Sequence, residues 1–320
     1  MAFTVFDNSQ QGALFVLCVV TIPICAGITI LRFFSTGRAH QKIALDDIFA
    51  LFALLFHLLF TTLFLYLLAQ LNGQTYTEIA SVSPAKLSHI LMVGWIASAQ
   101  YCGNQLFAKL SLLVLYRRIF SVNRTFNIWV YVLGALQIAW FISTYIVKYL
   151  LCVPVKSIWD LSVPGKCINI GAFLAATESV NSLIDFALIG LACWIVHFLQ
   201  IQNATKWKLG LLFAIGGLSG VIGFIKIREA YSAAYNNFLS PIWDIVQMAT
   251  SIICCSAPIY KSLVPDFTTF RKLIDTFNFT GQSRSHLAAK ANAANGSDQM
   301  INYSAHGTED GAWLHMDERI

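Results

Sequence analysis

Charged side chains are scarce in this chain, and their scarcity argues against an ordinary soluble domain. Only 12% of the 320 residues are charged, whereas 57% are hydrophobic, and a soluble domain carries about twice that share of charge. CxxC and HExxH spacings and the motifs of serine hydrolases and nucleotide-binding folds are also missing from the sequence. We therefore expect no metal or cofactor site, and the net charge of +5 gives no reason to expect nucleic acid as a partner.

Apolar residues are abundant instead, and they fall in seven blocks. Each block is roughly 20 residues or longer, which is the length that an α-helix needs to cross a bilayer. We therefore predict an all-α, multi-pass membrane protein, a bundle of seven transmembrane helices in contact with lipid in the plasma membrane or an endomembrane. The blocks lie near 12–32, 48–70, 88–116, 128–150, 171–198, 209–229 and 241–261.

Lysine and arginine are unevenly divided between the connections, and this bias predicts the orientation. The connections after the first, third and fifth blocks carry basic residues such as Arg38, Arg124 and Lys206, whereas the opposite connections hold fewer. The N-terminus is therefore expected outside or in a lumen, and the C-terminus in the cytosol. Residues 1–265 are expected to form the transmembrane domain, and residues 266–320, which are polar and aperiodic, a disordered cytosolic tail.

Two of the eight cysteines flank an outer loop in this topology. Cys152 and Cys167 enclose the stretch CVPVKSIWDLSVPGKC, and an oxidising compartment favours a disulfide between them. Free thiols or a bond to Cys102 remain open alternatives.

Ionisable residues inside the apolar blocks are candidates for function, because a charge in hydrocarbon is costly unless it is paired or hydrated. In the fifth block Glu178, Asn181 and Asp185 are spaced three and four apart, which places them on one helical face. In the third block Lys109 precedes Arg117 by eight residues, so it lies roughly 12 Å deeper than that membrane-edge arginine. Lys109 is at a depth that matches Asp185.

Counting depth from the cytosolic ends sorts these groups into an inner set and an outer set. The inner groups are expected to pack the bundle as ion pairs, whereas the outer groups can be reached from outside and suit a ligand pocket or reaction site. The ion-pair candidates are Lys109, Asp46, Asp47 and Arg117. The acid and base candidates are Glu178, Asp185, Glu229 and Asp244, and the ligand-binding candidates are Lys226, Arg228, Trp243 and Asn181.

Three stretches of the sequence resemble the fungal rhodopsin-domain integral membrane proteins. LRFFSTGRAHQKIALDDIFALFA resembles their junction between helices one and two, in which an arginine precedes an Asp-Asp pair. KLSLLVLYRRIF is similar to their helix-three signature, and CVPVKSIWDLSVPGKCIN is similar to their outer loop. The resemblance runs from about residue 10 to residue 265, and the motifs agree in order.

The resemblance implies one of two kinds of function. Some members are receptor-like sensors, and others are shorter proteins encoded in secondary-metabolite clusters, including that for the satratoxin mycotoxins. The short N-terminal segment without a Cys-rich module favours the second kind. Such a protein would bind or convert a lipophilic small molecule, with other pathway enzymes as partners, and conversion would suit acid/base cyclisation or isomerisation.

The alternative is a seven-helix sensor of small molecules or surface cues that couples to a G protein. In that case Arg117, Arg118 and the pair Asp46 and Asp47 would form a cytosolic latch. The sequence leaves the choice between enzyme, receptor and accessory protein open. Retinal is not expected, because a retinal Schiff base needs a lysine midway along the seventh helix, and the lysine of that block, Lys261, stands at its end.

Overall fold

The described part of the chain is almost entirely helical. The computed structural model describes residues 5–38, 43–119, 124–198, 216–228 and 239–256. Glu229 and the predicted tail, 266–320, lie outside these residues. The helices, in chain order, are α1 (Ser9–Arg38), α2 (Leu45–Leu71), α3 (Tyr76–Val82), α4 (Pro84–Ile119), α5 (Arg124–Tyr149), α6 (Ile170–Phe198), α7 (216–228) and α8 (Leu239–Ser256).

Five of the described helices are long and apolar enough to cross a membrane, namely α1, α2, α5, α6 and α8. The longest helix, α4, spans 36 residues but is not among them. Its middle carries Asn104, Gln105 and Lys109, which are buried and lower its hydropathy. The prediction of a helical membrane protein is therefore confirmed, with five candidate spans among the described residues.

Aromatic packing holds α2 against α4, the pair of helices in closest contact. Phe49, Phe52 and Phe56 are spaced at three and four residues, so they share one face of α2. All three rings contact Phe107 of α4, with centroids 5.2–6.0 Å apart. A Cβ atom at Gly103 would lie 2.6 Å from the Phe56 ring. Glycine at that position therefore permits the close approach of the two helices.

A buried arginine ties α1, α2 and α8 together at one end of the bundle. Arg32 donates to Asp46 Oδ2 at 2.8 Å, to Asp47 Oδ1 at 2.9 Å and to the Cys255 carbonyl at 2.7 Å. Neither the arginine nor either aspartate has any exposed surface. Ser111 of α4 adds a further tie, because its hydroxyl donates to the Asp46 carbonyl at 2.7 Å. Four helices therefore meet at this group.

The ion-pair set predicted from the sequence needs a correction at this group. Arg117 does not join the aspartates in the described part of the chain, since its guanidinium lies over the Tyr131 ring, 5.1 Å from the centroid. Arg118 Nη1 instead lies 3.6 Å from Asp46 Oδ1. Consecutive residues on a helix point about 100° apart, so only one of the two arginines can face α2. Lys109 lies elsewhere, with Asp185.

The connection between α5 and α6 is a small disulfide-linked hairpin. Strand β1 (Cys152–Val153) pairs antiparallel with β2 (Lys166–Cys167), with the two cysteines in register, and a disulfide joins them. The loop packs on the end of α4 through Trp159, whose ring centroid lies 5.5 Å from that of Trp95. In this loop the backbone N–H of Ser162 donates to Asp160 Oδ1. This hydrogen bond lowers the pKa of the Asp160 carboxyl.

We expect Arg32→Ala to destabilise the bundle by about 3–5 kcal/mol, because it removes the buried cation that both aspartates share and leaves Asp46 with only the more distant Arg118. Combining it with Asp46→Asn and Asp47→Asn should recover part of that loss. The measurement is the free energy of unfolding in detergent micelles. Arg38→Ala, at the exposed end of the same helix, is the control and should have little effect. Equal losses in the single and triple variants would contradict the assignment.

Candidate functional site

Polar side chains line a seam between α4, α6, α7 and α8. Helix α6 contributes Glu178, Asn181 and Asp185 from one face, and the first and the last of them, seven positions apart, are separated by roughly 10 Å along the helix axis. These three side chains are buried. The neighbouring helices contribute Tyr101, Gln105 and Lys109 from α4, Ser219 and Lys226 from α7, and Asp244, Gln247 and Ser251 from α8.

Glu178, Lys226 and Asp244 form the first group in the seam, here called the triad. Lys226 Nζ lies 2.6 Å from Glu178 Oε1 and 2.6 Å from Asp244 Oδ1. It also donates to Gln247 Oε1 at 3.3 Å and lies 4.0 Å from the centroid of the Tyr101 ring. The ammonium thus meets three oxygen acceptors and one aromatic face. The triad contains two acidic groups and one basic group.

Lys109 and Asp185 form the second group, here called the inner pair. Lys109 Nζ lies 2.9 Å from Asp185 Oδ1 and donates to Asn181 twice, to the carbonyl oxygen at 3.1 Å and to Oδ1 at 2.6 Å. Ser219 Oγ donates to Asp185 Oδ2 at 3.3 Å. All three ammonium hydrogens of Lys109 therefore have an acceptor, and both carboxylate oxygens of Asp185 have a donor.

Tyr101 and Asn181 join the triad to the inner pair. The Tyr101 hydroxyl donates to Glu178 Oε2 at 3.2 Å, and Asn181 Nδ2 donates to the Tyr101 oxygen at 3.3 Å. Since Asn181 Oδ1 also accepts from Lys109, hydrogen bonds run without a break from Asp244 to Asp185. A movement of the side chains in one group would therefore disturb the hydrogen bonds of the other group.

A cavity of about 40 Å³ lies beside the inner pair. One buried water needs roughly 10–15 Å³ measured in this way, so the space is enough for a few waters or for part of a ligand. Its lining combines the charged pair with hydroxyl groups and aliphatic side chains, among them Lys109, Asp185, Ser219, Ser251, Leu112 and Leu188. This mixture of apolar walls and a few polar groups is that of small-molecule sites, whereas the volume is well below the roughly 300–1,000 Å³ of a site that encloses a whole ligand.

Most site residues predicted from the sequence come together in this seam. Three do not take part in its contacts: Arg228 is exposed at the end of α7, Glu229 lies outside the described residues, and Trp243 stands beside the triad with no hydrogen bond from its indole nitrogen. Sequence reasoning missed Gln247, although it follows Asp244 by three residues and so shares its helical face. In the described ranges, no cluster of three His, Cys, Asp or Glu side chains suits a metal ion.

Comparisons with known proteins place the chain among fungal membrane proteins. Residues 31–266 match the profile of the fungal rhodopsin domain. "Satratoxin biosynthesis SC1 cluster protein 4" of Stachybotrys chartarum is 40% identical over 226 residues, which cover 68% of this chain and 84% of that protein. "Wortmanamides biosynthesis cluster protein C" of Talaromyces wortmannii is 34% identical over 273 residues, 84% of this chain and 75% of that protein.

A more distant relative is a "SAT4 family membrane protein" of Emericella nidulans, which is 26% identical over 210 residues, 65% of this chain and 52% of that protein. No solved structure matches the chain.

We expect Lys109→Met to destabilise the protein by about 3–5 kcal/mol, because it leaves Asp185 as a buried charge without a partner. The double variant Lys109→Met/Asp185→Asn should be more stable than the sum of the single effects predicts, with a coupling energy of about 1–3 kcal/mol. Chemical unfolding of the four proteins in detergent measures this cycle. Lys156→Met, which breaks an exposed loop ion pair with Asp160, is the control and should change little. Strict additivity would contradict the inner pair.

Proposed function

Because this chain belongs to the fungal rhodopsin domain family, we propose that it is a membrane component of a fungal secondary-metabolite pathway that binds a lipophilic intermediate and rearranges it by acid/base chemistry. The names of two relatives assign those proteins to biosynthesis clusters. The observation that carries the proposal is the cavity beside Lys109 and Asp185, because it joins a space for a ligand to buried acidic groups.

The cavity favours a ligand with an apolar body. Leu112, Leu188 and Ile189 line it, and their side chains attract hydrocarbon because contact removes apolar surface from water. The polar groups in the lining are already hydrogen-bonded to one another: Asp185 to Lys109 and Ser219. They would orient a ligand through its few polar atoms and leave most of the binding energy to apolar contact.

The triad supplies the chemistry in this proposal. Two carboxyl groups share one ammonium, and the proposal places one added proton on this pair of carboxyls, which makes the triad neutral. A carboxylic acid held in this form can protonate an alkene, an epoxide or a carbonyl. The resulting cation closes a ring or migrates, and the carboxylate then takes a proton back from the product. The reaction is an isomerisation or cyclisation and needs no second reactant.

We propose that the protein crosses the membrane seven times, with two spans in addition to the five candidate spans. The additional spans are α4 and the block 209–229, of which the structure describes 216–228 as helix. The basic residues in the connections favour an N-terminus outside and a cytosolic C-terminus with its polar tail, 266–320. In this arrangement the triad lies nearer the outer leaflet and the Arg32 group nearer the cytosol.

A receptor-like sensor is the second candidate, and one observation favours it. Arg118 is about one-third exposed, yet its guanidinium lies 3.6 Å from Asp46 inside the Arg32 group. An arginine that is partly exposed and also lies near a buried charge cluster suits a cytosolic latch, because a bound G protein could contact it directly. Ligand-dependent G-protein coupling would support this candidate over the first.

The topology predicts that the two termini lie on opposite sides of the membrane, so that an antibody outside the cell reaches only one of them. In sealed cells, a tag before Ser9 should react with an impermeant antibody, whereas a tag after Ile320 should react only once the membrane is permeabilised. Both tags on one fusion protein serve as each other's control. Accessibility of both tags on the same side would contradict an odd number of spans.

Deleting the gene in the fungus that carries it should abolish one product and accumulate its precursor. Restoring the gene with Glu178→Gln or Asp244→Asn should lower product formation by about 100-fold or more at equal protein level, because loss of a positioned acid or base costs about 10²–10⁴-fold in rate. The measurement is mass-spectrometric profiling of culture extracts.

Asp160→Asn, in the loop between α5 and α6, is the matched control and should restore the product fully. Unchanged metabolites after deletion would contradict a pathway role. Full activity of both seam variants would contradict the acid/base mechanism but would not contradict the pathway role.

A further inference from the structure

Within the part of the chain that the structure describes, two hydrogen-bond donors near the start of α8 are buried without an acceptor. Trp243 Nε1 and Gln247 Nε2 make no hydrogen bond to a described residue, and Gln247 has no exposed surface. The orientation of the Gln247 amide is fixed, because its other terminal atom accepts from the Lys226 ammonium at 3.3 Å and must be the oxygen. A buried donor without a partner is unfavourable. Other described N–H groups, such as that of Trp95, also lack a partner, but these two differ from them in lying on α8 next to the triad residue Asp244.

The two donors border the triad. Trp243 and Gln247 are four residues apart, which makes them neighbours on one face of α8. Asp244, a member of the triad, stands between them in sequence, and Gln247 contacts the Lys226 ammonium directly. Ser251, one further turn along α8, lines the cavity. A ligand that reaches the donors would therefore meet the acids of the triad.

The charges and hydrogen bonds nearby restrict the kind of ligand. Lys226 already has three oxygen acceptors, and so does Lys109, so neither lysine has a hydrogen left for an anion. Two acidic groups against one basic group in the triad also disfavour a negative charge. An ammonium ligand would not help, because it carries only donors and cannot satisfy an N–H group.

We propose that Trp243 Nε1 and Gln247 Nε2 donate to the carbonyl oxygen of a neutral lipophilic ligand. This assignment rests on the proposed function and names its substrate class: a ketone, ester or amide with an apolar body. Two donors on one carbonyl oxygen stabilise the negative charge that develops there when the neighbouring carbon loses a proton.

Asp244 is the base for that step. Its Oδ1 is held by Lys226 at 2.6 Å, which leaves Oδ2 for the substrate. Oδ2 takes a proton from the carbon next to the carbonyl, the electron pair of the broken C–H bond moves to the carbonyl oxygen, and the two donors hold the enolate. The substrate of this step therefore carries a C=C bond one carbon further from the carbonyl, so that the enolate extends over this bond. The carboxyl returns the proton to the far carbon of the bond, and the double bond moves next to the carbonyl. Substrate and product are isomers, and no other reactant is consumed.

The test uses the purified full-length protein in lipid nanodiscs, with decan-2-one labelled with carbon-13 at the carbonyl as the probe. Infrared difference spectra against empty nanodiscs should show a carbonyl band at lower frequency than that of the probe in lipid, since hydrogen bonding weakens the C=O bond. Decanoate and decylamine should not displace it at equal concentration. Trp243→Phe and Gln247→Leu should each weaken binding by about fivefold to a hundredfold.

Trp95→Phe is the matched control, because Trp95 Nε1 is also buried without a partner but lies at the end of α4 against the α5–α6 loop. It should bind the ketone as the wild type does. Trp243→Phe keeps an aromatic ring and removes only the donor, so it decides the matter if Gln247→Leu does not fold.

An unshifted band in the wild type, displacement by decanoate or decylamine, or equal binding in Trp243→Phe and the wild type would each overturn the carbonyl assignment. None of these results touches the pathway role, which fails only if deletion of the gene leaves the metabolites unchanged.

Discussion

Two ammonium groups buried among four helices require carboxylates at fixed positions, and this requirement sets how α4, α6, α7 and α8 stand against one another. An unpaired charge in this interior costs several kcal/mol or more. Lys109 on α4 reaches Asp185 on α6, and Lys226 on α7 reaches Glu178 on α6 and Asp244 on α8. Moving any of these helices by one turn, about 5.4 Å, would break a pair. The same contacts that offset the cost of burial therefore place Asp185 at the cavity.

In the proposed mechanism the lysines hold the site together and the acids carry its chemistry. Each ammonium is held by three oxygen acceptors, so Lys109 and Lys226 act as fixed positive charges and not as donors to a ligand. Tyr101 and Asn181 connect the two groups through hydrogen bonds. A ligand that displaces the inner pair would therefore also change the surroundings of Glu178, which gives the cavity a route by which it acts on the triad.

Periodicity along one helix could be predicted from the sequence, whereas contacts between distant helices could be predicted only in part. The common face of Glu178 and Asp185 follows from their spacing, and depth counting brought Lys109 to the level of Asp185. Arg32 was missed as the partner of two aspartates 14 and 15 residues later, because it stands at the end of an apolar block, where an arginine also serves as a membrane-edge anchor. Gln247 was missed because a neutral amide gives no electrostatic signal.

The charge balance of the buried groups distinguishes packing from function. The inner pair has one acid and one base, and the Arg32 group has two aspartates with Arg118 3.6 Å from one of them, so both approach neutrality. The triad holds two acids and one lysine, and the neighbouring Lys148, which donates to Ser98, keeps its positive charge and interacts with Asp244. Within the described ion pairs, two carboxyls of the triad therefore share one ammonium, whereas Asp185 has the Lys109 ammonium to itself. In the proposed mechanism the second carboxyl of the triad carries the proton that reaches a substrate, and the unpartnered donors of α8 lie beside it.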